Sequence, residues 1–105
     1  MASVEEIAKK LNATVLVSVD KPVESFYAGD FLSRVMGKAP AKSCWLTVMN
    51  NVNVAGVATL ADVSLVLICE GVKPDERLVE KCKSEEISLL TTDLDVYSAI
   101  VELNK

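Results

Sequence analysis

Eight residues could do chemistry together. Each follows an apolar run: Asp20-Lys21 after TVLVSV, Asn50-Asn51 after CWLTVM, Glu70-Gly71 after SLVLIC and Thr92-Asp93 after ISLLT. Three of the four pairs carry a carboxylate, and Asp20, Glu70 and Asp93 could in principle serve general acid/base chemistry. No nucleophile or activating partner is legible beside them, so no residue is assigned a catalytic role. The chain has no histidine, which removes imidazole catalysis, Ser-His and Cys-His nucleophiles and His-containing metal sites. Neither GxxxxGK[ST] nor GxGxxG occurs, so no phosphate-cradling loop is present. The three cysteines, Cys44, Cys69 and Cys82, are odd in number and form no CxxC. They are expected to be small buried hydrophobes in a reducing compartment.

What remains is binding. If the four pairs meet, Asp20, Lys21, Asn50, Asn51, Glu70, Gly71, Thr92 and Asp93 form a shallow site for a polar ligand bearing hydroxyls, amines or a bound divalent cation. The competing reading makes Asn51 and Asp93 helix caps, and Asp20 and Glu70 solvated turn residues. A bare phosphate fits poorly. Two charges about 4 Å apart near a protein surface interact by roughly 4 kcal/mol, against about 0.3–1 kcal/mol returned by a helix dipole. Magnesium would reverse that sign, since it takes carboxylate and phosphate together. No metal site is assigned, and the cofactor is not legible.

The elements that must position these residues are organised around Asn50 to Gly71. Val52, Ala55, Gly56, Thr59, Leu60 and Val63 recur at helical spacing, and Val54, Val57, Ala58 and Ala61 fill most of the remaining circumference. A helix apolar nearly all round is buried on more than one side. Asn50 and Asn51 are placed to cap it. The β-branched Val52, Val54 and Val57 leave a strand over Asn51–Ala58 as the rival. Asp62 sets an anion at the negative end of this helix, where it reaches either water or a lysine. Ser64–Cys69 is a short continuous apolar run, the pattern of a strand covered on both faces.

The rest reads in order. Ser3 and Glu6 form a capping box on a helix to Leu11, with Val4, Ile7, Ala8 and Leu11 on one face. Thr14–Val19 is a strand ended by Pro22, and the segment to Tyr27 is a loop. A helix spans Asp30–Met36 with Phe31, Leu32, Val35 and Met36 inward and Gly37 as a left-handed cap. Cys44–Met49 is a strand. Pro74 opens a helix over Asp75–Ser84 with Leu78, Val79 and Cys82 inward. Ile87–Leu90 is a strand. Asp93 caps a last helix, Leu94–Leu103, with Val96, Tyr97, Ile100 and Val101 buried. This alternation predicts an α/β fold: one domain over residues 1–105, three layers α/β/α, and a mainly parallel sheet of about four strands.

Composition bounds the rest. The chain has 105 residues, 50% of them hydrophobic, and a net charge of −4. That supports a real core and opposes direct nucleic-acid binding, which draws its affinity from Lys and Arg. With 5% aromatics there is little to stack bases on. The longest uncharged run, Ser43–Ala61, changes period midway, so no membrane span is expected. Met1 is followed by an acidic amphipathic segment and not by a basic then apolar leader, and the expected location is cytoplasmic.

The segment ADVSLVLICEGVKPDERLVEKCKSEEISLLTTDLDVYSAIVEL resembles the DRTGG domain family. The likeness lies in an apolar strand ending in a Gly turn, a Pro-started helix, a strand ending Leu89-Leu90-Thr91-Thr92, and a final helix. With NNVNVAGVATLADV it covers most of the chain. Such domains resemble the N-terminal domain of HPr kinase/phosphorylase and, more remotely, that of Mur ligases. The family commonly shows T-G-G after the central strand. Here the residues are Cys69-Glu70-Gly71, so only Gly71 carries over, and an anion site there is placed in doubt. Asn51 and Asn53 before the Ala/Val helix are similar to stand-alone proteins associated with iron-only hydrogenase systems. The resemblance implies a non-catalytic regulatory or ligand-sensing domain, homodimers, and a small-molecule ligand or a partner protein of a hydrogenase or signalling system. It imports no kinase activity, because the kinase's P-loop lies in a different domain. The alternatives are a small carboxylate-dependent, metal-assisted enzyme and a pure protein-interaction module.

Overall fold

The computed structural model describes residues 2–105. A helix α1 (Val4–Leu11) precedes strand β1 (Thr14–Val17). Then follow β2 (Ser25–Ala28), α2 (Leu32–Lys38), β3 (Ser43–Thr47), α3 (Asn53–Leu60), β4 (Leu65–Ile68), α4 (Glu76–Glu85), β5 (Ser88–Thr91) and α5 (Val96–Leu103). The sheet order is β1-β5-β4-β3-β2. β2, β3, β4 and β5 are parallel neighbours, and β1 runs antiparallel on the β5 edge. The three-layer α/β/α architecture is as expected, with five strands where about four were read. The extra strand is β2. Its SFYA pattern alternates half-buried and exposed at an edge, so it offers no apolar run to read.

The three crossovers β2-α2-β3, β3-α3-β4 and β4-α4-β5 step in one direction, which places their helices on one face. Trp45, Val66, Ile68 and Leu89 pack there against α3 and α4, while Cys44, Leu46, Leu65, Leu67 and Leu90 pack on the other face against α1 and α5. The Ala/Val segment is a helix, not a strand, and lies between α2 and α4. Val54, Ala55, Val57 and Ala58 are buried, but Leu60 projects, 77% exposed. Asn51 does not cap α3 in the usual way. Its Oδ1 accepts from the Asn53 N–H at 2.9 Å, forming a turn one residue ahead, and Val52 stands at the cap position with no side-chain bond. Asp62 is exposed, in a left-handed conformation that ends the helix.

Two inward faces differ from those read. On α2 only Val35 is buried, with Leu32 half-buried; Phe31 and Met36 are exposed, and Gly37 lies inside the helix, not at a left-handed cap. On α5 the buried residues are Ala99 and Leu103, while Tyr97 is 77% exposed and Val101 also faces out. Val96 and Ile100 are half-buried against the core, as read. Asp95, not Asp93, accepts from the Ser98 N–H at 2.7 Å and starts the helix. That hydrogen bond holds the Asp95 carboxyl below the usual carboxylate range. Its stabilising effect is therefore full at neutral pH and is lost as acid protonates it. On α4, Asp75 is the cap, so Pro74 lies just before the helix.

Because β1 is antiparallel, its end lies beside the start of β5. The chain must then cross the N-terminal ends of the parallel strands to reach β2. It does so as a strap over residues 19–24. Val19 exchanges two hydrogen bonds with the buried Ser88 hydroxyl, at 2.9 and 3.2 Å. The Lys21 ammonium donates to the Glu86 carbonyl at 2.8 Å, Ser64 Oγ donates to the Pro22 carbonyl at 2.9 Å, and the Glu24 N–H donates to the Lys42 carbonyl at 2.8 Å. At the opposite end, β4 leaves through Glu70 and Gly71, both left-handed at φ 64° and 69°. Their N–H groups donate to the Leu94 and Thr92 carbonyls at 2.8 and 3.0 Å, which ties this turn to the β5–α5 loop.

Two substitutions test this account by denaturant titration. Ser88→Ala strands the Val19 N–H and C=O, and is expected to cost about 1–3 kcal/mol. A loss below a few tenths would mean that the strap is held elsewhere. Gly71→Ala puts a Cβ in a left-handed backbone, 3.3 Å from Asp93 Oδ1, and is expected to cost about 1–2 kcal/mol. Glu70→Gly, which relaxes the adjacent residue, does not destabilise. The reverse order of these two variants would contradict the turn geometry.

Candidate functional site

The sheet direction divides the eight candidate residues. Asn50, Asn51, Glu70, Gly71, Thr92 and Asp93 follow the C-terminal ends of β3, β4 and β5 and share one rim. Asp20 and Lys21 do not join them. They lie on the strap at the opposite rim, where Lys21 is engaged by Glu86. The expectation that four strand ends gather on one edge fails for β1, because it assumed that all four strands run parallel. The rim opposite Asp20 receives the first residue of β1 instead, Thr14, paired with Thr91.

Within the shared rim the residues are locked by backbone contacts. Asn50 Nδ2 donates to the Lys73 carbonyl at 2.8 Å, and the Asp75 N–H donates to the Asn50 carbonyl at 3.0 Å, so Asn50 clasps the loop that leads into α4. Thr92 Oγ1 accepts from the Leu94 N–H at 3.3 Å. Asp93, released from capping by Asp95, stands against Gly71. In open α/β sheets this edge, beyond the carboxyl ends of the strands, is where ligands sit.

A cavity of about 460 Å³ opens here, between the 71–74 loop, α4 and the β1–β5 pair. Of the eight candidate residues, Gly71, Thr92 and Asp93 line it. Eight other lining residues escaped that reading. Asn12 and Thr14 reach the cavity only because β1 is antiparallel; Lys73 and Val79 come with the loop and α4. Leu16 is turned toward it by a bulge, since the β1–β5 register shifts between Val15 and Val17. No local signal marks these positions in the chain. The proline after Lys73 and the threonine that opens the first strand are visible, but their neighbourhood depends on topology. Asn50, Asn51 and Glu70 lie on the rim outside the cavity lining.

Asp30 is a further rim residue that sequence reasoning missed. Its Oδ1 accepts from Thr47 Oγ1 at 2.7 Å and from the Val48 N–H at 2.9 Å, which fastens the β2–α2 loop to the end of β3. It became legible only with β2. Burial raises the Cys69 thiol to about 11, and the charges of Glu70, Asp30 and Asp95 add to the rise, so the rim is acidic around the end of β4. Burial also pushes Cys82 up to about 11, and Cys44 higher still. All three thiols are free, buried and protonated at neutral pH, which removes their nucleophilicity. Among the described residues, no three Cys, Asp or Glu side chains are placed to share a metal ion. None of the described helices is long and apolar enough to cross a membrane.

No curated protein matches the chain. Among solved structures, the CBS and DRTGG domains of the regulatory region of Clostridium perfringens pyrophosphatase, in complex with the activator diadenosine tetraphosphate, superpose with a TM-score of 0.80 at 17% identity. The superposition covers 96% of this chain and 45% of that one, so the chain spans a little under half of the regulatory region. At this identity the likeness is one of fold. The family profile of the DRTGG domain matches residues 6–105. The chain belongs to the DRTGG domain family.

Proposed function

We propose that this chain is a non-catalytic regulatory domain that binds a small polar ligand where β4 and β5 end, and that it passes occupancy on to a partner protein. The observation that carries the reading is the cavity beside Gly71, Thr92 and Asp93, at the rim where α/β sheets bind ligands. Family membership supports it, as does the activator-bound regulatory region that shares the fold. Asp93 is the first candidate for ligand contact, because its carboxylate is exposed and neither caps α5 nor joins an ion pair with another described residue. The Glu70-Gly71 turn and the 92–94 loop are joined by two backbone hydrogen bonds. Ligand pressing on one therefore shifts the other, and with it the start of α5.

The outer face of α5 supports the homodimer reading. Tyr97 and Val101, one turn apart, leave apolar surface uncovered on the helix whose start the rim controls.

Thermal denaturation with a panel of nucleosides, nucleotides and polar metabolites tests the binding. A ligand at about 100 times its Kd adds about 2.7 kcal/mol. Asp93→Asn is expected to remove about 1.5–3 kcal/mol of that by losing a charged hydrogen bond, and Asp20→Asn, on the far rim, to remove none. Equal losses from both variants, or a panel without effect, would contradict the reading. Light scattering tests the assembly. A dimer of 11.3 kDa chains that Tyr97→Glu converts to monomers is expected; a wild-type monomer at micromolar concentration is the contrary result.

A further inference from the structure

The cavity carries an inference about which class of ligand it takes, and this rests on the ligand-binding reading above. Its lining is of two kinds. Leu16, Val72, Pro74 and Val79 present apolar carbon. Leu16 stands 37% exposed because the bulge turns it outward from an edge strand, and without a ligand that surface faces water. Thr14, Thr91 and Asn12, whose side chains make no hydrogen bond to another described residue, add two hydroxyls and an amide. Apolar carbon together with unengaged donors and acceptors fits a ring with hydrogen-bonding edges. The volume of about 460 Å³ lies in the range that small-molecule ligands occupy.

The charges narrow the class further. Lys73 is the one cation on the lining. Asp93 is the one carboxylate there, so the lining has no net positive charge with which to hold a chain of phosphates. We propose that the cavity takes an uncharged ring ligand of the nucleoside class, its ring on the Leu16–Val79 wall and its polar edge on Asn12, Thr14 and Thr91, and that it excludes polyphosphate nucleotides.

Isothermal titration of the full chain with adenosine, guanosine, cytidine and uridine, each beside its mono- and triphosphate, tests this at low and at physiological salt. At least one nucleoside is expected to bind. Its triphosphate should bind roughly tenfold or more weakly at low salt, and the gap should narrow as salt screens the Asp93 carboxylate. Leu16→Glu sets a carboxylate on the apolar wall at an exposed bulge, and is expected to abolish nucleoside binding while circular dichroism and melting show the fold retained. Thr91→Val, which keeps shape and removes the hydroxyl, is expected to weaken binding in the same direction, and serves if Leu16→Glu fails to fold. A triphosphate that binds as well as its nucleoside, or better, overturns the charge argument and leaves the sensing reading standing. Binding of a sugar or amino acid from the wider panel, with all nucleosides silent, overturns the ring class but again not the sensing reading. No binding by any compound overturns both.

Discussion

The antiparallel docking of β1 on β5 is the constraint on which the arrangement of this domain depends. Four parallel strands with right-handed crossovers would leave β5 as an open edge and the chain's start unplaced. β1 covers that edge, and its direction decides three things together. It sends the chain beneath the sheet as the 19–24 strap, held by the buried Ser88 hydroxyl. It carries Asp20 and Lys21 away from the other strand ends. It also brings Thr14 and the bulged Leu16 to the rim where Gly71, Thr92 and Asp93 lie, and so completes a cavity that the parallel strands alone would leave as a shelf.

Much of this fold was legible in the sequence. The Ala/Val helix, the Ser64–Cys69 strand, the buried cysteines and the α1 capping box all follow from period, burial and local hydrogen bonding, and the structure places them as read. What could not be read was direction and exposure. TVLV is as apolar as a central strand, yet it lies at an edge with Val15 and Leu16 uncovered, because no local term reports which neighbour a strand pairs with. SFYA was passed over as a loop for the opposite reason, being a true edge strand with a mixed pattern. Two aspartates, Asp93 and Asp95, compete to cap α5. The second is the cap; Ala99 and Leu103 are buried with Val96 and Ile100 packed half-buried beside them, while Tyr97 and Val101 face out.

The same contest bears on the site. An aspartate that caps a helix is engaged, and one displaced from the cap is free to meet a ligand. Asp93 is displaced because Thr92 Oγ1 holds the Leu94 N–H in a turn of its own, which delays the helix to Val96. The Glu70-Gly71 turn is the other half of the rim. Glu70 holds a left-handed conformation that glycine would adopt freely, and its neighbour cannot carry a Cβ without approaching Asp93. Local strain at 70 is outweighed by the two hydrogen bonds that the turn makes to the 92–94 loop, and these couple the two halves. Asp30, on the far side of the rim, adds charge but belongs to the β2–β3 fastening and not to the cavity.

The direction of β1 is open to direct measurement. In isotope-edited NOE spectra of the free protein, antiparallel pairing predicts cross-strand contacts that link Thr14 with Thr91 and Val17 with Leu89. Contacts that link Thr14 with Ser88 and Val17 with Thr91 would mean a parallel β1. They would return Asp20 to the rim and take apart the cavity on which the functional reading stands.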